Sequence, residues 1–168
     1  KPIVRTKIRY NEGVTGLNES SVDKLRAPKL STIRVSRGHW GGKMFSLDGN
    51  NGLGGMSLKT LNISAQAWEG YEAEDGSGVL YFLPKNFAPT NDIMYALEVF
   101  QAENLLNRTS IDLEFRPNDF ERTPRLRFFD IRNSGFTGVF PNLVAEGRPL
   151  DLRIDSNRFY DLDNIGPR

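Results

Sequence analysis

The sequence of 168 residues contains no cysteine and only one histidine. Without cysteine there is no disulfide framework and no Cys–His nucleophilic pair, and a zinc site of the usual Cys and His type lacks its ligands. The single histidine, His39, lies between Gly38 and Trp40 in a predicted turn, which favours a surface or packing role. The composition therefore argues against nucleophilic catalysis and against a structural zinc.

Neither charge nor hydrophobicity is concentrated in one part of the chain. The 22 basic and 21 acidic residues leave a net charge of +1, which gives no electrostatic attraction to nucleic acid or to an anionic membrane. No apolar run approaches the length of a membrane span, and no segment reads as a signal peptide. The chain begins at Lys1 without a methionine, so a piece of a longer protein is one expectation. With 38% hydrophobic and 11% aromatic residues, one folded domain is the default.

One stretch, residues 126–140, sets a pattern that returns along the chain. Its apolar residues Leu126, Phe129, Ile131 and Phe136 have the spacing L-x-x-L-x-L-x-x-N-x-L. The alternation of Phe129 and Ile131 suits a short strand with one buried face, and the flanking residues enter the same core from the adjacent turns. Such a unit buries its apolar face only against a copy stacked on each side, so repeats are expected.

Four further copies of the spacing occur, and the five copies begin at residues 30, 58, 97, 126 and 149. Most of the steps between them suit the length of one coil in a repeat protein. The additional matches are Leu30, Ile33, Val35 and Trp40; Leu58, Leu61, Ile63 and Trp68; Leu97, Phe100, Ala102 and Leu105; and, with Pro149 in the first position, Leu152, Ile154, Asn157 and Phe159.

The five copies resemble the leucine-rich repeat family over about residues 30–162, and Phe136 to Pro141 is similar to the L-T-G-x-I-P segment of its plant-type subclass. The sequence departs from the family in three ways. The asparagine of the pattern is present only at Asn157, and Trp or Phe replaces the last leucine in four copies. Secreted eukaryotic members usually close their ends with disulfide-bonded caps, which a chain without cysteine cannot form.

The fold predicted from the repeats is mainly β. It is a leucine-rich-repeat-like right-handed solenoid of about four to five coils over residues 29–168, with an N-terminal cap over residues 1–28 made of a hairpin and a short helix. Return strands are predicted at residues 43–47, 79–83 and 110–115. Residues 93–106 read either as a repeat strand or as an amphipathic helix, with the strand slightly favoured.

Aligning the copies predicts three outward ladders of side chains on the sheet that the repeat strands form. Asp130 would face Arg153, and Glu103, Arg132 and Asp155 would alternate in sign. Phe128 and Val99 would be exposed, which favours contact with another protein. The ladders are Thr32, Thr60, Val99, Phe128 and Asp151; Arg34, Asn62, Gln101, Asp130 and Arg153; and Ser36, Ser64, Glu103, Arg132 and Asp155. The candidate interaction face consists of Val99, Gln101, Glu103, Phe128, Asp130, Arg132, Asp151, Arg153 and Asp155.

Other kinds of site fit the sequence less well. The acids of the face have arginines predicted beside them, which lowers a carboxyl pKa and suits neither a general acid nor a raised base. The acids from Asp155 to Asp163 do not follow the EF-hand spacing, so calcium is improbable. The glycine-rich segment 48–55 lacks the order of a phosphate-binding loop. We therefore predict no catalytic residue, no metal ligand and no cofactor.

The predicted function is a non-enzymatic structural or protein–protein interaction module. It would be a component of a larger assembly, such as a bacterial surface or phage or virion structure, with a protein partner or neighbouring subunit and an extracellular, cell-surface or virion location. More chain or a partner would cover the open edge at residues 164–168. A carbohydrate-binding or carbohydrate-cleaving solenoid is the first alternative; it predicts an aromatic-lined groove with an acid free of arginine. A receptor-type ectodomain is the second; it predicts glycans on Asn18 or Asn107.

Overall fold

A computed structural model of the chain describes residues 31–34, 41–47, 57–85, 87, 96–143 and 149–165. The predicted N-terminal cap, His39 and the glycine-rich segment 48–55 lie outside these residues. Within them the protein is mainly β, and its helical content is one 3₁₀ turn at Asp163–Ile165. The strands are β1 (Thr32–Arg34), β2 (Gly41–Lys43), β3 (Thr60–Asn62), β4 (Ala67–Glu69), β5 (Tyr71–Glu72), β6 (Leu80–Tyr81), β7 (Val99–Gln101), β8 (Leu113–Glu114), β9 (Phe128–Asp130), β10 (Thr137–Val139), β11 (Asp151–Arg153) and β12 (Arg158–Asp161).

The first sheet contains one strand from each copy of the repeat spacing. Its five strands lie in chain order, β1-β3-β7-β9-β11, and every neighbouring pair is parallel. The predicted register is confirmed for the first two ladders: Thr32 pairs with Thr60, Thr60 with Val99, Val99 with Phe128, and Phe128 with Asp151. The strand at Val99–Gln101 also decides between the two interpretations of residues 93–106 in favour of the repeat strand.

A second sheet is formed by the segments that follow the repeat strands, in the order β12-β10-β8-β6-β5. It is parallel except for the β5–β6 pair. The predicted return strands at residues 79–83 and 110–115 are confirmed in β6 and β8, where Leu80 pairs with Leu113.

The return strand predicted at residues 43–47 is wrong. The strand here is β2, Gly41–Lys43, and it pairs with β4 rather than with β6. Met44 and Phe45 are adjacent in the chain and both fully buried, so this segment lacks the alternation of a strand with one solvent face. The Leu47 amide instead donates a hydrogen bond to the Phe87 carbonyl over 3.0 Å.

The core lies between the two sheets and is rich in phenylalanine. The rings of Phe100 and Phe129, which are paired residues of neighbouring repeat strands, are stacked with their centroids 5.5 Å apart. Phe120, from the turn at residues 117–122, places its ring edge-on against both, at 4.9 and 5.1 Å. Phe115 and Phe136 extend the cluster with a centroid separation of 4.5 Å. Aromatic residues thus fill the places that leucine occupies in the repeat pattern, and edge-on contacts make these rings more favourable than their buried area alone.

Each described coil turns away from the first sheet through one residue with left-handed backbone geometry. These residues are the eighth of their copies, and their φ angles lie between 52° and 59°: Ala65, Asn104, Asn133 and Ser156. A non-glycine residue rarely adopts this conformation, so its recurrence at one position of four copies marks a turn that these copies share. Asparagine tolerates this geometry better than most residues, which suits Asn104 and Asn133.

Polar side chains just inside these turns tie one coil to the preceding one. The Asn157 amide donates to the Ile131 carbonyl over 2.8 Å, and its carbonyl accepts from the Phe136 amide over 3.0 Å. Ser134, at the same position of the previous copy, donates to the Ala102 carbonyl over 2.7 Å. These hydrogen bonds satisfy backbone groups that a tight turn leaves without a partner. Ser134 and Asn157 both donate to a backbone carbonyl of the preceding copy, and Asn157 in addition accepts from a backbone amide.

Replacing Gly135 with alanine is expected to lower the free energy of unfolding by about 2–4 kcal/mol. Gly135 has a φ of 69°, and a Cβ there would overlap the Arg108 carbonyl oxygen. Gly76 is the matched control because it has a φ of 72° and a Cβ added there would meet no atom within 4 Å. Gly76→Ala should therefore lower the free energy of unfolding only by the cost of a left-handed backbone at alanine, about 1 kcal/mol. Urea unfolding of both variants measures the difference, and equal losses would contradict the close contact at Gly135.

Candidate functional site

The outer side of the first sheet brings the nine predicted face residues together. They come from β7, β9 and β11 and from the two residues after each strand, and backbone hydrogen bonds continue the register of the strands into those residues. For example, the Ala102 amide donates to the Asp130 carbonyl over 2.8 Å, and the Ile131 amide donates to the Arg153 carbonyl over 2.9 Å. Repetition of the strand therefore places side chains that are distant in sequence side by side.

Arg132 is at the centre of the charged groups on this face. Its guanidinium binds Asp130 through two hydrogen bonds of 2.8 and 3.0 Å and reaches Glu103 at 3.2 Å. Asp130 is only 1% exposed. The hydrogen bond to Asp130, then the charge of that carboxylate, raises the pKa of Arg132 above its usual value, so the guanidinium stays charged. One arginine therefore neutralises a buried acid and a half-buried one on the neighbouring coil.

Arg153 forms the second charged group one coil further along. It binds Asp151 through hydrogen bonds of 3.0 and 3.2 Å, and its guanidinium carbon lies 4.9 Å from the centroid of the Phe128 ring. The hydrogen bond from Arg153 lowers the pKa of Asp151. This arrangement combines a bidentate ion pair with a cation–π contact across neighbouring strands.

Three details of the predicted face need correction. Asp130 and Arg153 are paired in register but make no ion pair with each other: Arg153 binds Asp151, and Arg132 binds Asp130 as well as Glu103. The planar guanidinium can bind both carboxylate oxygens in that geometry, and Arg153 also gains the Phe128 ring. Phe128 and Val99 are half-buried rather than exposed, and Asp130 is almost fully buried.

A cleft of about 560 Å³ adjoins the face where the carboxyl ends of β7, β9 and β11 meet the turns. Its lining is polar, and the Asn133 amide donates to the Asn104 side-chain carbonyl over 2.8 Å inside it. Asp155 makes no ion pair with any residue that the structure describes. The lining residues are Glu103, Asn104, Arg132, Asn133, Asp155 and Ser156.

Sequence reasoning found three of these lining residues and missed Asn104, Asn133 and Ser156. The three missed residues are the left-handed turn residues of the last three copies. Their shared position, the eighth residue of each copy, is a signal that the sequence contains. The repeat pattern hides it because the pattern assigns meaning to the buried positions and treats the intervening ones as variable.

Replacing Arg132 with glutamine is expected to destabilise the protein at neutral pH. The change leaves the buried Asp130 carboxylate without its two side-chain hydrogen bonds, and an unpaired buried acceptor costs about 1–3 kcal/mol. The double variant Asp130→Asn/Arg132→Gln removes the buried charge and should recover part of the loss. Thermal unfolding at pH 7 tests both, and a single variant as stable as the original chain would contradict the role given to Arg132.

The sequence contains Asn-x-Ser/Thr glycosylation sequons at Asn18, Asn62 and Asn107. In the two that fall on described residues, the side-chain amide nitrogen of the asparagine already donates a hydrogen bond. The Asn107 amide donates to the Trp68 carbonyl, and the Asn62 amide donates to the Gln101 side-chain carbonyl over 3.2 Å. Both asparagines are half-buried. A glycan attached through either nitrogen would have to displace these hydrogen bonds.

Among the described residues, no group of three or more His, Cys, Asp or Glu side chains is placed to hold a metal ion. In the same part of the chain, no helix has the length and apolar character needed to cross a membrane. No protein-family model, curated protein or solved structure matches the chain.

Proposed function

We propose that the chain is a non-enzymatic protein-interaction module that works as a component of a larger assembly. In this proposal the body is a leucine-rich-repeat-like right-handed solenoid of five coils. The outer side of its first sheet contacts the protein partner, with Phe128, Arg132 and Arg153 at the centre of the contact. The cleft beside Asp155 extends the same surface.

The parallel first sheet supports the solenoid part of the proposal. Its five strands follow chain order without interruption, and each is separated from the next by a segment that contributes to the other side of the core. Connections between parallel strands of one sheet are almost always right-handed. A stack of this kind presents an extended surface of regularly spaced side chains, which suits contact with another protein.

The interaction function is supported by the ion pairs and the cation–π contact that fix the charged side chains of the face. Arg132 joins Asp130 to Glu103, and Arg153 is fixed between Asp151 and Phe128. A surface whose long side chains are already held loses less conformational entropy when a partner binds. Arginine and aromatic residues are also frequent among the side chains that dominate binding energy in protein interfaces.

The same contacts make acid–base catalysis on this face unfavourable. A general acid needs a pKa near the working pH, whereas Arg153 lowers the pKa of Asp151. Asp130 is enclosed and bound by the Arg132 guanidinium. Asp130 and Asp151 thus serve to fix the arginines rather than to transfer protons.

Photo-crosslinking from a defined position tests the proposed contact. A benzoylphenylalanine side chain at position 99 lies on the face, beside Phe128 of the neighbouring strand, and the same side chain at the exposed position 109 is the control. In cells of the native source, position 99 should give a product of one defined mass that position 109 does not give. Arg153→Glu should reduce that product. Equal products from both positions, or none from position 99, would overturn the assignment of the face.

A carbohydrate-binding solenoid remains the second candidate because Asp155 makes no ion pair within the described residues. The cleft next to Asp155 is polar and of a size suited to a sugar, but none of its lining residues is aromatic. A glycan array separates the two proposals. Binding that is lost in Asp155→Asn and kept in Asp75→Asn, a fully exposed control, would favour the carbohydrate.

A further inference from the structure

The coil that contains β11 and β12 differs from the coils before it in how its apolar residues are covered. In the second to fourth copies the inward residues of the repeat strand are fully buried, for example Leu61, Phe100 and Phe129 at 0% exposure. The residue at that position in the fifth copy, Leu152, is only half-buried, as are Ile154 and Phe159. Beyond them Tyr160 and Leu162 are 76% and 45% exposed.

Backbone groups on the same side of this coil are also without partners. In the second to fourth copies the amide of the sixth residue donates to the next copy over 2.8–2.9 Å, and the amide of the eighth residue does so over 2.9 Å. The sixth residues are Ile63, Ala102 and Ile131, and the eighth are Ala65, Asn104 and Asn133. The equivalent amides of Ile154 and Ser156 make no hydrogen bond within the described residues. The Leu150 carbonyl is in the same situation, although Lys59, Glu98 and Arg127 at its position all accept from the next coil.

We propose that this edge of β11 binds an extended segment of a protein partner as a sixth, parallel strand. The proposal rests on the proposed function as an interaction module and specifies a second contact of that module. Addition of a strand to an open sheet edge is a common way to recognise a peptide, with affinity from main-chain hydrogen bonds and specificity from alternate side chains. We take the strand to be parallel because every neighbouring pair of this sheet is parallel. A parallel strand would meet the unpaired groups at Leu150, Ile154 and Ser156 in the register that those pairs use.

The side chains beside this edge define the chemistry of the segment. Residues that pair with Leu152 and Ile154 would be apolar, because they would complete the cover over these half-buried side chains. The residue beside Arg153 would be acidic. The residue beside Asp155 would be basic, because Glu103, Arg132 and Asp155 already alternate in sign and the Glu103–Arg132 contact is 3.2 Å. The segment therefore has the pattern apolar–acidic–apolar–basic.

A peptide from the protein itself has this pattern and serves as the probe. Residues 126–133 read Leu-Arg-Phe-Phe-Asp-Ile-Arg-Asn, and Phe129 and Asp130 are the residues that pair with Leu152 and Arg153 on the opposite side of β11. A fluorescent form of this peptide should bind the chain, as measured by anisotropy. A peptide with its acid and its second arginine exchanged is the first control. A peptide N-methylated at the residue corresponding to Phe128, whose amide would donate to the Leu150 carbonyl, is the second.

The expected result is binding of the matched peptide that weakens about fivefold for the charge-exchanged peptide and is lost on N-methylation. Asp155→Lys should weaken the matched peptide to a similar degree, and replacing that second arginine of the peptide by glutamate should restore binding. Asp75→Lys, a fully exposed change in the loop between β5 and β6, should leave the affinity unchanged. Equal binding of all peptides, or no binding of the matched one, would overturn the strand-addition proposal.

The outcome is separable from that of the proposed function. A crosslink from position 99 together with no peptide binding would remove the edge contact and leave the interaction face intact. Peptide binding without a crosslink from position 99 would support the edge and reject the face. The absence of both would reject both.

Discussion

Replacing Phe129 with alanine is expected to lower the free energy of unfolding by about 3–5 kcal/mol. The Phe129 side chain is fully buried and contacts the rings of Phe100, Phe120 and Phe140 at centroid distances of 5.5, 5.1 and 5.9 Å. Its removal deletes buried surface and leaves a cavity that rings from three other segments of the chain cannot readily fill. The change in free energy can be measured by urea unfolding.

The neighbouring residue supplies a matched control for this prediction. Phe128 is chemically identical, but it is on the outer side of the same strand, half-buried beneath Arg153. Phe128→Ala should cost about 1 kcal/mol, mainly through the lost cation–π contact and a smaller buried area. Equal losses at the two positions, or a larger loss at 128, would contradict the orientation of β9.

Asp119→Asn is expected to stabilise the protein by about 4 kcal/mol at pH 8 and to have little effect near pH 4. Burial raises the pKa of Asp119 to about 7, against an ordinary value of 3.8, although the Arg116 backbone amide donates to its carboxyl over 2.8 Å and the Arg116 charge also lowers the pKa. Asparagine keeps an acceptor for that amide and has no charge to bury.

The direction of the pH effect follows from the raised pKa. The folded state binds a proton at Asp119 more tightly than the unfolded state does, so this contribution to stability is complete below about pH 4. It is lost as the pH rises through about 7. Burial, with a further effect from the Asp112 charge, also raises the pKa of Glu114, and that group acts in the same direction. Comparing the wild-type chain with Asp119→Asn from pH 4 to pH 8 isolates the Asp119 part.

Asp75→Asn provides the control because Asp75 is fully exposed. Its pKa is lowered by a side-chain hydrogen bond from Ser77, so its contribution to stability has the opposite sign. The Asp75 variant should therefore show no gain in stability at pH 8. If the free energy of unfolding of the wild-type chain and of Asp119→Asn changed in parallel between pH 4 and pH 8, the burial of an ionisable Asp119 would be contradicted.

The register of the first sheet was predictable because each repeat strand has a buried face. A shift of one residue would move Phe129 into solvent and Phe128 into the core, so the apolar spacing leaves one register available. Alternation located β8 within residues 110–115, whereas β6 was expected from its place after the second repeat strand. The strand expected at residues 43–47 was wrong, and its adjacent residues Met44 and Phe45 are both buried.

The ion pairs were not predictable from the register alone. Spacing along and across strands put Arg153 within reach of both Asp130 and Asp151, and the side-chain conformations decide between them. The buried Asp119 was missed for a related reason. Asp119 lies in a turn outside the repeat pattern, where a charged residue is expected to be exposed. It is buried instead because the next residue, Phe120, packs in the core against Phe100 and holds the turn close to it.

The polar cleft was missed because it is made by turns rather than by strands. The left-handed residues Asn104, Asn133 and Ser156 have no apolar spacing of their own, and only the parallel pairing of β7, β9 and β11 brings them together. The half-buried side of the fifth copy is likewise a property of the stack. In sequence, Leu152 and Ile154 look like the fully buried residues of the earlier copies.

The mass of the native particle tests the proposal of an assembly component most directly. The chain would be isolated from its native source under non-dissociating conditions and weighed by native mass spectrometry. The account predicts a particle well above the 19.0 kDa of the single chain, reduced in mass by Arg153→Glu on the face or by the competing peptide at the β11 edge. A 19.0 kDa monomer at every concentration, unchanged by either treatment, would contradict it.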